Sequence, residues 1–149
     1  MKIREAMTPN PVSCVPNDTA QRAATLMREH NVGALPVVAD RDSCNLLGMI
    51  TDRDLCVSVI ADGLDAKKTI IERYISTNPV TCRDGENLDQ AERAMQEHQV
   101  RRIPVVDGDG RCIGIVSQAD LALKDKPENV AKTINEISKP EAEGPAIAA

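Results

Sequence analysis

Two short motifs in this chain pair a hydroxyl with a carboxylate three residues later, Thr51-x-x-Asp54 and Ser117-x-x-Asp120. Each follows an apolar run opened by glycine, Gly48-Met49-Ile50 in one case and Gly114-Ile115-Val116 in the other. Two chemistries suit that spacing. The acid can bond back to the N-terminus of its own helix as a capping box, or its acceptor oxygens can take hydroxyl groups of a ligand. A strand that runs into a helix also leaves unpaired N–H groups pointing outward, where anions settle. A ligand of this chain is therefore expected at the Ser117–Asp120 junction.

The other reactive side chains offer less. Five cysteines (Cys14, Cys44, Cys56, Cys82 and Cys112) form no Cys-x-x-Cys pair and no zinc spacing, and they read as small buried hydrophobes ahead of a redox pair. His30 and His98 fall at the ends of equivalent helices, where an imidazole bonds the last carbonyls. A shared metal site would need Cys or Asp at supporting spacing, and none stands there. No Ser/His/Asp or Cys/His arrangement emerges. The chain is read as a non-enzyme, with no metal and no cofactor.

Bulk composition narrows the partners. A net charge of −5 and a pI near 5.0 argue against nucleic acid, which wants a basic face. No apolar run approaches the roughly 18 residues of a membrane span, and MKIREAMTPN has no signal-peptide core, so a cytoplasmic chain off the membrane is expected. Tyr74 is the only aromatic residue. Any flat ligand must be gripped by aliphatic side chains and prolines.

The elements that would position these groups repeat. Pro11-Val12-Ser13-Cys14 returns as Pro79-Val80-Thr81-Cys82, Met27–Val32 as Met95–Val100, and Pro36-Val37-Val38 as Pro104-Val105-Val106, all displaced by 68 residues. Gly48–Leu55 returns as Gly114–Leu121 displaced by 66, so the first copy carries two extra residues in its hairpin turn, Ala39–Asn45. Four ordered matches establish an internal repeat. Each copy reads β-α-β-β-α. In the first, an extended piece near Pro11–Val15 leads to a helix with a stripe of Ala20, Ala23, Ala24 and Met27, capped by Asn17-Asp18-Thr19. The strands Leu35–Val38 and Leu46–Ile50 and a helix from Thr51 to Gly63 follow. The second copy has Pro79–Arg83, a helix with Leu88, Ala91, Ala94 and Met95, a hairpin turning on Asp107-Gly108-Asp109-Gly110, and a helix from Ser117 to about Lys124. Short helices over Lys2–Met7 and Thr69–Ile75 introduce the two copies. Neither copy buries enough apolar surface alone, so the two are expected to share one core face to face. The expected divisions are 1–63, 64–126, a C-terminal helix at 127–138 marked by Val130, Ile134 and Ile137, and a disordered tail at 139–149.

The repeat, the H-x-V-x-x-x-P-V-V hairpin and the G-h-h-T/S-x-x-D-L ending (h apolar) resemble the CBS domain, named after cystathionine β-synthase. Two in tandem resemble a CBS pair, or Bateman module, over Ile3–Leu123. MREHNVGALPV, MITDRDL and EHQVRRIPV are similar to the stand-alone bacterial members of hypoxic-response type. The resemblance implies an α/β (α+β) fold of tandem β-α-β-β-α repeats with pseudo-twofold symmetry. It also implies clefts between the repeats for adenosine-containing ligands: AMP, ADP, ATP or S-adenosylmethionine. Mapped onto this chain, Asp120 would accept from the ribose hydroxyls, Ser117 would meet the first phosphate, and Arg102 would bind phosphate. Thr8, Val12 and Ser13 would line the adenine slot with Ile103 and Pro104. The mirror cleft would use Asp54 and Thr51, with Ser76, Val80 and Thr81 opposite and Leu35 and Pro36 beside them.

The two clefts are not expected to be equal. Arg101-Arg102 precedes Ile103-Pro104, whereas Gly33-Ala34 precedes Leu35-Pro36, and neither small residue replaces a guanidinium beside a phosphate. The Asp120 cleft should favour phosphorylated nucleotides, leaving the Asp54 cleft weaker, empty, or suited to an uncharged adenosyl group. The resemblance further implies a regulatory adenine-nucleotide sensor that forms a homodimer, through Val57, Ile60, Leu121 and the Val130–Ile137 helix, and acts on an unidentified regulated protein. The alternatives are an interaction or stress-response scaffold that binds no nucleotide, and a stress protein working through its thiols or a metal.

Overall fold

The glycines of the two motifs mark where the chain crosses over itself. In the computed structural model, described here for residues 1–140, strand β1 (Thr8–Pro9) lies antiparallel to β7 (Cys112–Ser117) of the second repeat, with Pro9 opposite Gly114. Strand β4 (Ser76–Thr77), leading into the second repeat, lies antiparallel to β3 (Leu46–Thr51) of the first, with Thr77 opposite Gly48. Each repeat's leading segment therefore completes the other repeat's sheet. A Cβ on Gly48 would collide with the Ser76 carbonyl oxygen, and one on Gly114 with the Met7 sulfur. Backbone approach requires glycine at Gly48, whereas at Gly114 the Met7 side chain would have to give way.

The sheets run β1-β7-β6-β5 and β2-β3-β4, where β2 is Ala34–Val38, β5 Cys82–Arg83 and β6 Arg102–Val106. The extended piece expected near Pro11–Val15 reduces to Cys14, which bridges Val37 in parallel, as β5 runs parallel to β6. Helix α2 (Ala20–His30) starts on Thr19, whose Oγ1 accepts from the Arg22 N–H at 3.1 Å. It buries Ala20, Ala23, Leu26 and Met27, while Ala24, expected on that stripe, is exposed. Helix α4 (Leu88–His98) is its counterpart. After β3, α3 (Asp52–Asp54) loosens into π-helical turns over Leu55–Ile60, in contrast to the regular α5 (Gln118–Lys124) of the second repeat. Helix α6 (Pro127–Ile137) begins with proline at its first turn. Most of the expected tail falls outside the described residues.

The expectation of one shared core does not hold. Two apolar clusters form, one per repeat, because each sheet is closed by the other repeat's leader. Ile3 and Ala6 of α1 (Ile3–Ala6) are fully buried in the second repeat's cluster, and Ile71 is buried in the first's. Val130 and Ile137 of α6 pack into the second cluster, so they are not free to bind a partner.

Burial in α4 includes an acid that the apolar pattern passes over. Glu92 is 6% exposed, and its Oε1 has no hydrogen-bond partner among the described residues. Burial, reinforced by the neighbouring Asp125 and Asp89, pushes its carboxyl up to about 7. At Asp125, desolvation is outweighed by hydrogen bonds from the Lys126 N–H, Glu92 and Asn129, and its carboxyl is lowered. The folded chain thus keeps a proton on Glu92 that the unfolded chain has released, and stability falls as pH rises.

Gly48→Ala is expected to destabilise the chain by about 1–3 kcal/mol, more than Gly114→Ala, whose first obstacle is the flexible Met7 side chain. Urea unfolding of both variants checks the order. Glu92→Gln should raise the melting temperature above pH 7 and lose that advantage as the pH falls toward 4.5, read from thermal melts across the range.

Candidate functional site

Strand β7 delivers Ser117 to the start of α5, and its extended backbone makes it the N-cap. The Ser117 N–H and Oγ–H both donate to Asp120 Oδ2 at 2.8 Å, and the Asp120 N–H donates to Ser117 Oγ at 3.4 Å. The capping box is therefore formed, and it occupies one carboxylate oxygen. Asp120 Oδ1 takes no hydrogen bond from the described residues. The two chemistries open to this motif are thus compatible: one oxygen caps, the other is left over.

Asp120 and Ser117 line a cleft of about 540 Å³ with Thr8, Asn10, Pro11 and Val12 of the N-terminal leader. Arg102, opposite Ser117 in the β6–β7 register, lines it as well. The remaining wall is Ile115, Ala119 and the stretch His30 to Ala34. The cleft therefore has one carboxylate, one guanidinium, one imidazole, the hydroxyls of Thr8 and Ser117, and otherwise aliphatic or amide groups. Asn10 and Asn31 both hold left-handed backbone (φ 47° and 51°), which turns the chain back along the cleft at each point.

Of the residues expected here, Thr8, Val12, Arg102, Ser117 and Asp120 meet at the cleft, whereas Ser13, Ile103 and Pro104 are not among its lining residues. Ile103 is fully buried in the second repeat's core, because alternation along β6 sends it to the opposite face from Arg102. Sequence reasoning missed His30 to Ala34. Gly33 and Ala34 had served to mark the first cleft as weak, yet they line the Asp120 cleft and open it by having almost no side chain. Their signal was the repeat itself, which places the end of α2 across the pseudo-twofold from the end of α4.

At the mirror position the box is also formed. The Thr51 N–H donates to Asp54 Oδ2 at 2.8 Å and the Asp54 N–H to Thr51 Oγ1 at 3.1 Å. Leu35 is in the first repeat's core and Pro36 is buried, while Ser76 and Thr81 are exposed and Val80 packs against the second repeat's core. Arg53, beside this junction, is exposed.

Residues 3–60 and 71–125 each match the CBS domain family. The chain belongs to the CBS domain family. The CBS domain-containing protein YhcV of Bacillus subtilis is 37% identical over 137 residues, covering 91% of this chain and 94% of that protein. Hypoxic response protein 1 of Mycobacterium tuberculosis is 35% identical over 130 residues, covering 87% and 89%. A crystal structure of Hypoxic Response Protein I with two coordinated zinc ions superimposes with a TM-score of 0.74 over 85% of this chain and all of that one, at 33% identity. Among the described residues of this CBS pair, no three His, Cys, Asp or Glu side chains group to hold a metal.

Two further CBS structures carry adenosyl ligands. The pair from MJ0100, in complex with 5-methylthioadenosine and S-adenosyl-L-methionine, has a TM-score of 0.73 and 27% identity, covering 83% of this chain and 94% of that one. CBSX2 in complex with AMP has a TM-score of 0.65 and 28% identity, covering 93% and 98%. CBS pairs are in general regulatory, non-catalytic modules. Among the described residues, no helix is long and apolar enough to cross a membrane.

Ser117→Ala should cost about 1 kcal/mol of stability by removing the helix cap, with Thr51→Ala costing a similar amount. Chemical denaturation of the ligand-free chain measures both.

Proposed function

We propose that this CBS pair is a regulatory module that binds an adenine nucleotide (AMP, ADP or ATP) in the Asp120 cleft, with S-adenosylmethionine, which carries no phosphate, as the alternative ligand. The observation that carries the reading is the unused Asp120 oxygen in a cleft that also holds Arg102. A carboxylate oxygen accepts strongly from ribose hydroxyls, and a guanidinium meets a phosphate in bidentate fashion. The aliphatic walls suit a flat base in a chain with one aromatic residue. Complexes of related CBS pairs with AMP and with S-adenosyl-L-methionine support the ligand class.

Because the cleft is walled by both repeats, an occupant bridges them, and it shifts their arrangement by its differential affinity for two states. The Asp54 cleft, with Thr51, Leu35, Pro36, Ser76, Val80 and Thr81, is assigned the weaker, second role. A homodimer in the cytoplasm acting on a regulated protein completes the reading. Leu121 is buried and drops out of the dimer surface. Val57 and Ile60 on the π-helical turns, 51% and 69% exposed, remain available, as do Leu123 and Ile134.

Thermal shift with AMP, ADP, ATP, S-adenosylmethionine and NAD tests the proposal, since a ligand of the folded state alone raises apparent stability. AMP or ATP should raise the melting temperature. Arg102→Ala should weaken nucleotide binding by roughly 10- to 100-fold in calorimetry while leaving the ligand-free melt unchanged. If no adenosyl compound shifts the melt and a stable protein partner is recovered instead, the scaffold reading replaces this one.

A further inference from the structure

The hairpin turns of the two repeats touch at the far end of β7 from the cleft, and a cysteine stands on each side of the contact. Asn45 and Arg111 are antiparallel bridge partners. They are flanked by the Leu46 N–H donating to the Gly110 carbonyl at 3.1 Å and the Cys112 N–H donating to the Cys44 carbonyl at 2.9 Å. That register sets Cys44 directly opposite Cys112, across the boundary between repeats. The Arg111 guanidinium also donates to the Asp42 carbonyl at 3.3 Å, pinning the same two turns.

Cys44 and Cys112 share one backbone hydrogen bond, the Cys44 N–H going instead to the Asp40 carbonyl at 3.0 Å, and directly opposed residues in antiparallel pairs have Cα atoms about 4.5–5.5 Å apart, within the roughly 4.4–6.8 Å range that a disulfide spans. Both thiols are free and half-buried, whereas Cys14 and Cys82 are sealed in the two cores and Cys56 is exposed. Cys44 Sγ donates to the Arg41 carbonyl at 3.2 Å and Cys112 Sγ to the Gly114 carbonyl at 3.6 Å, so side-chain rotation is needed to join them. Cys44 also holds left-handed backbone, φ 54°, a conformation in which asparagine or aspartate is the commoner non-glycine residue.

We propose that Cys44 and Cys112 form a peroxide-inducible disulfide that staples the two repeats together. Cys112 lies on β7, where burial pushes its thiol up to about 11, and Cys44 in the hairpin turn takes the attacking role. Its thiolate attacks one oxygen of hydrogen peroxide, the O–O bond breaks, and the departing hydroxide leaves as water, giving a sulfenic acid on Cys44. Cys112 Sγ then attacks that sulfur. The S–S bond forms, the S–O bond breaks, and the hydroxide departs as water with the Cys112 proton. One peroxide is reduced to two waters while two thiols are oxidised by two electrons in all. The proposal is independent of the nucleotide reading.

The test treats the whole chain with hydrogen peroxide, blocks remaining thiols, and maps peptides by mass without reduction. The expected product is one intramolecular link, with two hydrogens lost, joining the Cys44 and Cys112 peptides. A cross-link between residues so distant in sequence should raise the melting temperature by roughly 10 °C, and reductant should reverse the rise. Cys44→Ser, in an exposed turn, should melt like the untreated parent and show neither link nor shift, and Cys112→Ser should match it. A link through Cys14, Cys56 or Cys82, a link between two chains, or oxidation of Cys44 to sulfinic acid without any link overturns the assignment.

Discussion

The whole arrangement depends on the exchange of leading segments between repeats. Strand β1 closes the second repeat's sheet and β4 closes the first's, while Ile3, Ala6 and Ile71 are buried in the opposite repeat's core. A unit of about 60 residues is marginal on its own, and here neither repeat owns all of its core. Stability and the relative placement of the repeats are consequently one property. The crossings work only because Gly48 and Gly114 let backbone or the Met7 side chain come where a Cβ would sit.

The cleft follows from that exchange. Thr8 to Val12 can face Ser117 and Asp120 only because β1 is laid against β7, and His30 to Ala34 reach the same space from the end of α2. Every wall belongs to a different segment, so the site exists only in the assembled pair. Its polar groups are already partly engaged. Asp120 holds its own helix start with one oxygen, which fixes the carboxylate in place and leaves the other oxygen presented without a search through rotamers. Such preorganisation lowers the ordering cost of binding.

The second repeat differs from the first in what covers it. Helix α6 packs on α4 and brings Val130 and Ile137 into the second core, beside the buried Glu92. The same packing keeps water from Glu92 and sets Asp125 close enough to compete for a proton. The first repeat has no matching helix among the described residues, and its π-helical turns leave Val57 and Ile60 in solvent. Two halves built on one pattern thus carry different surfaces.

The chain's duplicated pattern determined the elements, their order and the two capped strand-to-helix junctions, because caps, turns and apolar stripes are local and read off neighbouring residues. The family resemblance put Arg102 with Ser117 and Asp120, and all three line the one cleft. Tertiary structure alone decided which leader completes which sheet, since two-residue strands such as Thr8–Pro9 carry no periodicity of their own. It placed Gly33 and Ala34 in the Asp120 cleft, sent Ile103 to the core and Arg102 to the cleft, and split the expected single core in two. It buried Glu92, which the apolar stripe of α4 passes over, and it set Cys44 opposite Cys112. These are contacts between segments far apart in sequence, and no local preference of either segment specifies them.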